Sequence, residues 1–234
     1  MHPVSAKLHS RRGGLTRAAA ILLVLIAIML VVVAIPAWRA YKYRADRLGC
    51  MAALKTVRDS LLIEYLGNFE EMSTDDARET LLVTMPGREE YCPAHGNVYL
   101  IPDEYGTYIP ICGLHGPDAK QRTRLNASYA LQELKEALKQ ARDDEVEWPE
   151  TLTIVLNGKE LECVQTEEET GFKRGTTLTS GYKGIVAFYG YAGTGAWQDV
   201  DAEAGEICYF SFADEDHCAT WRLGEGWTGD SYAE

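Results

Sequence analysis

The chain has 234 residues, a length that indicates one or two domains, and a formal net charge of −12. The charge is unevenly distributed, because residues 1–49 hold eight Lys/Arg and one acid, whereas residues 50–234 hold 15 basic and 34 acidic residues. A part with a net charge of −19 would repel nucleic-acid phosphates, so nucleic-acid binding by residues 50–234 is excluded.

A single long apolar run stands near the N-terminus. It covers Ala18 to Ala37, 20 residues without a charge, and as a helix it would be about 30 Å long, enough to cross a bilayer. Its length and its continuation into "PAWRAYKYRADRLG" favour a retained anchor over a removed signal peptide. The segment before it is basic and holds no acid, which predicts an N-terminus in the cytoplasm and a C-terminus outside.

The apolar run continues into an amphipathic pattern. Apolar residues recur at intervals of three and four at Leu54, Val57, Leu61 and Tyr65, which predicts a helix with one face packed against soluble structure. One continuous helix from Ala18 to Leu66 is therefore expected, and we expect Pro36 to kink it.

These features together resemble the N-terminus of the type IV pilin and pseudopilin family, from Gly14 to Leu66. In that family a short basic leader ends in glycine, and a prepilin peptidase cuts after it. The resemblance implies cleavage between Gly14 and Leu15, and methylation of the new N-terminus. It also implies that Pro36 is the family's helix-bending proline, followed by the aromatic residues Trp38 and Tyr41.

The chain departs from the family pattern at the fifth mature position. Family members normally carry a glutamate there, which pairs with the N-terminal amine of a neighbouring subunit, and this chain has Ala19. The resemblance therefore implies a minor subunit, at the tip or in initiation of a pilus, competence or type II secretion-like filament. Its implied partners are the membrane, other pilin-like subunits and the prepilin peptidase. The alternative is an uncleaved single-pass anchor whose ectodomain senses or binds a ligand.

A cysteine-flanked hairpin is predicted in "CPAHGNVYLIPDEYGTYIPICGLHG", residues 92–116, and the motif is similar to that of short Gram-positive pilin-like proteins. Its cysteines suit a Cys92–Cys112 disulfide in an oxidising compartment, which we favour. A zinc site of Cys92, His95, Cys112 and His115 is the alternative, because two C-x-x-H pairs supply tetrahedral ligands. Cys50, on the long helix, could reach the hairpin instead.

The remaining cysteines leave their pairing open, because six cysteines allow 15 full pairings. Cys208 and Cys218 flank "YFSFADEDH" and are candidates for a second disulfide. Cys163 would then pair with Cys50 or stay unpaired.

The second half predicts a helix and a sheet. "PDAKQRTRLNAS" indicates a linker, Asn126 or Ser128 could cap the helix that follows, and Asn157-Gly158 predicts a hairpin turn. An acidic stretch carries Asp199, Asp201 and Glu203 at alternate positions; we favour a solvated turn there over a calcium loop.

The predicted fold class is α+β: a long N-terminal helix, transmembrane and then amphipathic, packed on a small antiparallel β module, with a C-terminal β-rich domain. The expected divisions are a basic cytoplasmic leader (1–14), the transmembrane and assembly helix (15–70), the hairpin module (71–117), a linker with an amphipathic helix (118–150) and an appended antiparallel β domain (151–234). Catalytic motifs such as G-x-S-x-G, H-E-x-x-H or a P-loop do not occur, so neither an enzyme nor a cofactor is predicted. The ligand of the C-terminal domain is not predicted.

Overall fold

The computed structural model describes residues 17–68, 73, 91–144, 149–167, 186–203, 205–214 and 217–228. They form two compact units, Met1–Ala45 and Asp46–Glu234. The α+β class with a long N-terminal helix is confirmed. The leader, with Gly14 and Leu15, lies outside the described residues.

Helix α1 spans Arg17–Asn68, which confirms the long helix expected from the apolar run and the pattern after it. In the first unit its apolar side chains are exposed around the whole circumference; Met29 and Val33, for example, are 69% and 68% exposed. By length and composition α1 is able to cross a membrane. Pro36 lies inside the helix, and the kink expected there stays a prediction.

In the second unit, α1 packs on the predicted hairpin. Strands β1 (Val98–Pro102) and β2 (Tyr108–Cys112) pair antiparallel, with Val98 opposite Cys112. Val57 and Leu61 of α1 are fully buried against Tyr91 and Tyr108. The amphipathic stripe expected on this part of α1 is thus the face that covers the hairpin.

Helix α2 (Ala119–Asp143) begins earlier than expected. Asp118 is its N-cap and accepts a hydrogen bond from the Gln121 backbone N–H at 2.7 Å. The linker expected up to residue 128 and the caps expected at Asn126 or Ser128 are therefore wrong. The polar residues of the first turns can be helical because Asp118 accepts from the otherwise unpaired Gln121 N–H. Asn126 lies within α2 and its side chain is buried.

A six-stranded sheet follows, with its strands in chain order. They are β3 (Thr151–Leu156), β4 (Lys159–Gln165), β5 (Val186–Tyr191), β6 (Ile207–Ala213), β7 (Cys218–Arg222) and β8 (Gly226–Thr228). The β3–β4 hairpin is confirmed: Asn157 and Gly158 have φ of 51° and 67°, as a type I′ turn requires.

The sheet is mixed, whereas an antiparallel one was expected. Strands β4 and β5 run parallel, with Cys163 opposite Ala187, and the other neighbours are antiparallel. The 20 residues between Gln165 and Val186 are enough for the crossover that parallel strands need. One face of the sheet packs against α2 through Leu131, Leu134 and Leu138.

Candidate metal centre

Four ligand-type side chains converge where α1 meets the hairpin. Cys50 comes from α1, Cys92 from the turn before β1, Cys112 from the end of β2 and His115 from the turn after it. Their ligand atoms all lie within 4.8 Å of one another. The three cysteines are fully buried and His115 is 5% exposed. Among the residues that the structure describes, no other group of three or more His, Cys, Asp or Glu meets in this way.

The distances suit a single metal ion. His115 Nδ1 lies 3.3 Å from Cys92 Sγ and 3.8 Å from Cys112 Sγ. A tetrahedron with metal–sulfur bonds of about 2.3 Å and a metal–nitrogen bond of about 2.0 Å has edges of about 3.5–3.8 Å. These two edges are close to those of such a tetrahedron, and every pair of donor atoms lies within 4.8 Å, near enough to share one ion.

Backbone N–H groups support the cysteine sulfurs. The Leu114 N–H donates to Cys112 Sγ at 3.4 Å, and the N–H groups of Ala94 and Gly96 donate to Cys92. Hydrogen bonds from Cys112 and then Cys50 hold the pKa of Cys92 well below its ordinary value, outweighing burial, which raises it. Hydrogen bonds with Cys112 and Cys92, together with burial, raise the pKa of Cys50. A hydrogen bond with Cys50 lowers the pKa of Cys112, but its hydrogen bond with Cys92 and burial raise it by more. Of the three cysteines, only Cys92 therefore has surroundings that favour a thiolate, the form that binds metals.

Two glycines make room for this arrangement. A Cβ on Gly96 would lie 2.5 Å from Cys112 Sγ and 3.2 Å from Cys92 Sγ. A Cβ on Gly49 would lie 3.2 Å from Pro93 Cγ. Without a side chain at residue 96, the turn of residues 92–96, here called the cysteine turn, can pack directly against the sulfurs of Cys92 and Cys112. Without a side chain at residue 49, α1 can approach that turn, which brings Cys50 close to the other three residues.

Of the four residues of the predicted zinc site, Cys92, Cys112 and His115 lie together, whereas His95 does not join them. His95 is exposed, has a φ of 60° and lies beside Gly158 of the β3–β4 turn. Cys50 stands in its place. The signal for Cys50 was present in the sequence, because it precedes Leu54 by four residues and so continues the buried stripe of α1.

The disulfide candidates have different surroundings. Cys92 and Cys112 are neighbours, both present as thiols, so a bond between them stays a prediction. Cys208 and Cys218 are not brought together. Cys218 pairs with Ala213 across the sheet, five residues along β6 from Cys208, or about 16 Å at the usual rise, and a disulfide needs Cα atoms within about 7 Å. Cys163 lies in the sheet core, where burial raises its pKa to about 12.

The remaining predicted residues lie elsewhere. Asp199, Asp201 and Glu203 are exposed, and Glu203 lies 3.8 Å from Arg142. In the first unit, Ala19 is half-buried, and the rings of Trp38 and Tyr41 are both 67% exposed with centroids 6.1 Å apart.

A buried asparagine network lies beside the cysteines, and sequence reasoning missed it. Asn126 of α2 accepts from Tyr99 Oη at 2.8 Å and from Asn157 Nδ2 at 3.2 Å, and its own Nδ2 donates to the Gly113 carbonyl at 3.1 Å. Asn157 and Asn97 exchange two backbone-to-side-chain hydrogen bonds of 2.8 and 3.1 Å. The network joins the hairpin, α2 and the β3–β4 turn.

No protein-family model, no curated protein and no solved structure matches the chain.

Proposed function

We propose that the chain is a minor pilin-like subunit, at the tip or in initiation of a type IV pilus, competence or type II secretion-like filament. It is processed by a prepilin peptidase after Gly14, and its role is assembly rather than catalysis. Its partners are the membrane, the peptidase and other pilin-like subunits. It resides in the cytoplasmic membrane with the N-terminus inside and the C-terminus outside, and reaches the cell surface by assembly.

The observation that carries this proposal is the change of character along α1. From Ile21 to Ile35 its large apolar side chains are exposed around the whole helix, as a segment destined for lipid or for a filament core requires. From Cys50 onward, the same helix has a buried stripe against a small antiparallel hairpin. A helix with these two halves suits a subunit that is held first by a membrane and then by other helices.

The alanine at position 19 supports a minor role. A carboxylate at that position would neutralise the N-terminal amine of a neighbour inside an apolar core, where an unpaired charge costs several kcal/mol. Ala19 cannot supply this charge to a neighbour. A filament built wholly from this chain would bury one uncompensated amine per subunit, whereas a chain used once or a few times avoids that repeated cost.

The deciding experiment takes the protein from its native membrane and identifies its N-terminal residue by mass spectrometry. We expect Leu15 as the first residue, methylated or not. Gly14→Val should leave the leader attached, and Gly13→Ala, one residue earlier, should be processed normally.

A retained leader in the unaltered chain would overturn the filament proposal. The chain would then be a permanently anchored ectodomain for sensing or ligand binding, the second candidate function. The resemblance in residues 14–66 favours the first candidate, because it gives Gly14 and Pro36 distinct roles that a plain anchor does not need.

A further inference from the structure

We propose that Cys50, Cys92, Cys112 and His115 bind one Zn²⁺ ion in a closed, structural site that fastens α1 to the hairpin. The proposal concerns the second unit alone and does not rest on the filament function. The site differs from the one expected from the two C-x-x-H motifs, because its fourth ligand comes from the helix and not from His95.

The donor set selects the metal. Three thiols and one imidazole are soft and borderline ligands that suit zinc and exclude calcium or magnesium, which take oxygen ligands. The mutual approach of the donors, with two edges of 3.3 and 3.8 Å, fits one ion at the centre. An iron–sulfur cluster distributes its ligands over two or more irons, whereas these four donor atoms all lie within 4.8 Å of one another.

Burial makes the site structural rather than catalytic. All four ligands are buried, and four protein donors complete the tetrahedron without an open position for water or substrate. On binding, all three cysteines become thiolates and their remaining thiol protons pass to solvent. The ion with three thiolates and a neutral imidazole carries one net negative charge. The N–H groups of Ala94, Gly96 and Leu114 point at the sulfurs and offset that charge.

The hairpin needs such a fastening. A two-stranded sheet is marginal by itself in water. Among the described residues, the apolar cluster that joins it to α1 has four buried members, with Tyr65, Val98 and Leu100 packed against them, which is a small core. Zinc bound by ligands from the helix and from both ends of the hairpin would add its binding free energy to the folding of this module.

The geometry favours zinc over a disulfide. A Cys92–Cys112 bond would use two of the four converging donors and would leave the Cys50 thiol and the His115 ring buried beside it. A metal uses all four donors.

The first test measures zinc by elemental mass spectrometry in the full chain, purified in detergent under reducing conditions and dialysed after loading with Zn²⁺. We expect about one zinc per chain, and less than about one tenth in Cys50→Ser and in His115→Asn, because loss of one ligand opens the tetrahedron.

The controls are Cys163→Ser, a buried cysteine outside the site, and His95→Asn, which keeps a residue tolerant of positive φ. Both should retain about one zinc. Retention by Cys50→Ser together with loss in His95→Asn would overturn the proposed ligand set.

A second test uses only the unaltered chain, so that misfolded variants cannot obscure the answer. Loaded with Co²⁺, it should show sulfur-to-cobalt charge-transfer bands and the strong visible bands of tetrahedral cobalt. Removal of zinc by a chelator should expose three additional thiols to alkylation. Two results together would overturn the proposal. They are the absence of cobalt bands and an intact mass lower by two hydrogens, as a Cys92–Cys112 disulfide would give.

Discussion

Asn126 links three parts of the second unit through a single side chain. Its amide accepts from the Tyr99 hydroxyl and from Asn157 and donates to the Gly113 carbonyl, all with little access to water. Burial raises the pKa of Tyr99, so its hydroxyl stays protonated and able to donate. Since a buried polar group left without a partner costs about 1–3 kcal/mol, such a network contributes more to stability when complete than its individual bonds suggest.

Asn126→Ala should therefore destabilise the protein strongly. The substitution leaves the Gly113 carbonyl, the Tyr99 hydroxyl and the Asn157 side-chain amide without their partner. We expect the free energy of unfolding to fall by about 2–4 kcal/mol, which lowers the Tm by roughly 5–12 °C. Thermal unfolding of the full chain in detergent, followed by tryptophan fluorescence, measures the effect. Gln140→Ala, at an exposed position of the same helix, is the matched control. Equal Tm values for the two variants would contradict the importance of the network.

Gly96→Ala tests how tightly the cysteine turn is packed. The added methyl would lie 2.5 Å from Cys112 Sγ, closer than real Cβ atoms come, so one of the sulfurs has to move. We expect a lower Tm, by at least about 2–4 °C for each kcal/mol of strain. Gly67→Ala has no atom within 4 Å of its new methyl and should leave the Tm unchanged or slightly higher. If Gly96→Ala behaves like Gly67→Ala, the described packing of the turn is wrong.

Among the elements, helix α2 has a start that depends on one side chain. Asp118 caps its N-terminus and lies at the positive end of the helix dipole. Through its buried face, α2 covers β3, β6 and β7. Fraying of its first turn would disturb two hydrogen bonds: that of Arg122 to the Gly116 carbonyl, after the hairpin, and that of Thr123 to Asp214, after β6.

Asp118→Ala is expected to cost about 1 kcal/mol, which lowers the Tm by about 2–4 °C, because the Gln121 N–H loses its acceptor. Asp118→Ser retains a capping oxygen and should remain within about 0.5 kcal/mol of the unaltered chain. A drop of the same size in both variants would show that the charge, and not the cap, is what matters.

The elements themselves were largely predictable. Period and composition predicted α1 and both hairpins, because each of these signals is local: apolar spacing on α1, strand residues around "PDEYG", and the Asn157-Gly158 turn. The start of α2 was missed because the cap at Asp118 is followed by a polar first turn. The parallel β4–β5 pair was missed because pairing direction depends on contacts between distant segments.

The metal centre was half predictable for the same reason. Cys92, Cys112 and His115 are close in sequence or joined by a hairpin, so spacing brought them together. Cys50 comes from another element. Its spacing from Leu54 places it on the buried stripe of α1, but spacing alone does not show which residues that stripe contacts. The asparagine network gave no sequence signal, since Asn97, Asn126 and Asn157 are separated by 29 and 31 residues and asparagine is common in turns.

At the scale of the whole molecule, the chain combines an apolar helical unit with a folded acidic unit. The charge of −19 on residues 50–234 keeps that part soluble, and the uncharged run from Ala18 to Ala37 favours lipid. Membrane association should therefore depend on the run alone.

Two arginines in the run should weaken that association. Ile28→Arg with Val31→Arg adds about 2.5–3.5 kcal/mol per charge near the centre of the run. We expect the full chain to stay in the membrane pellet after alkaline carbonate extraction and the double variant to be largely released. Ile28→Leu with Val31→Leu controls for the substitutions and should behave like the unaltered chain. Release of the unaltered chain and this control alike would contradict a spanning helix.

The hydrogen bonds between Asn97 and Asn157 have a consequence for the order of folding during synthesis. Of the four proposed zinc ligands, His115 is the last in the sequence, so all four have been synthesised once the ribosome has passed that residue. Asn157 lies 60 residues after Asn97 and is made later than all four ligands. Contacts between distant residues form slowly, because a long loop must close first. We therefore expect the hairpin to fold on α1 before the β3–β4 turn forms its hydrogen bonds with Asn97.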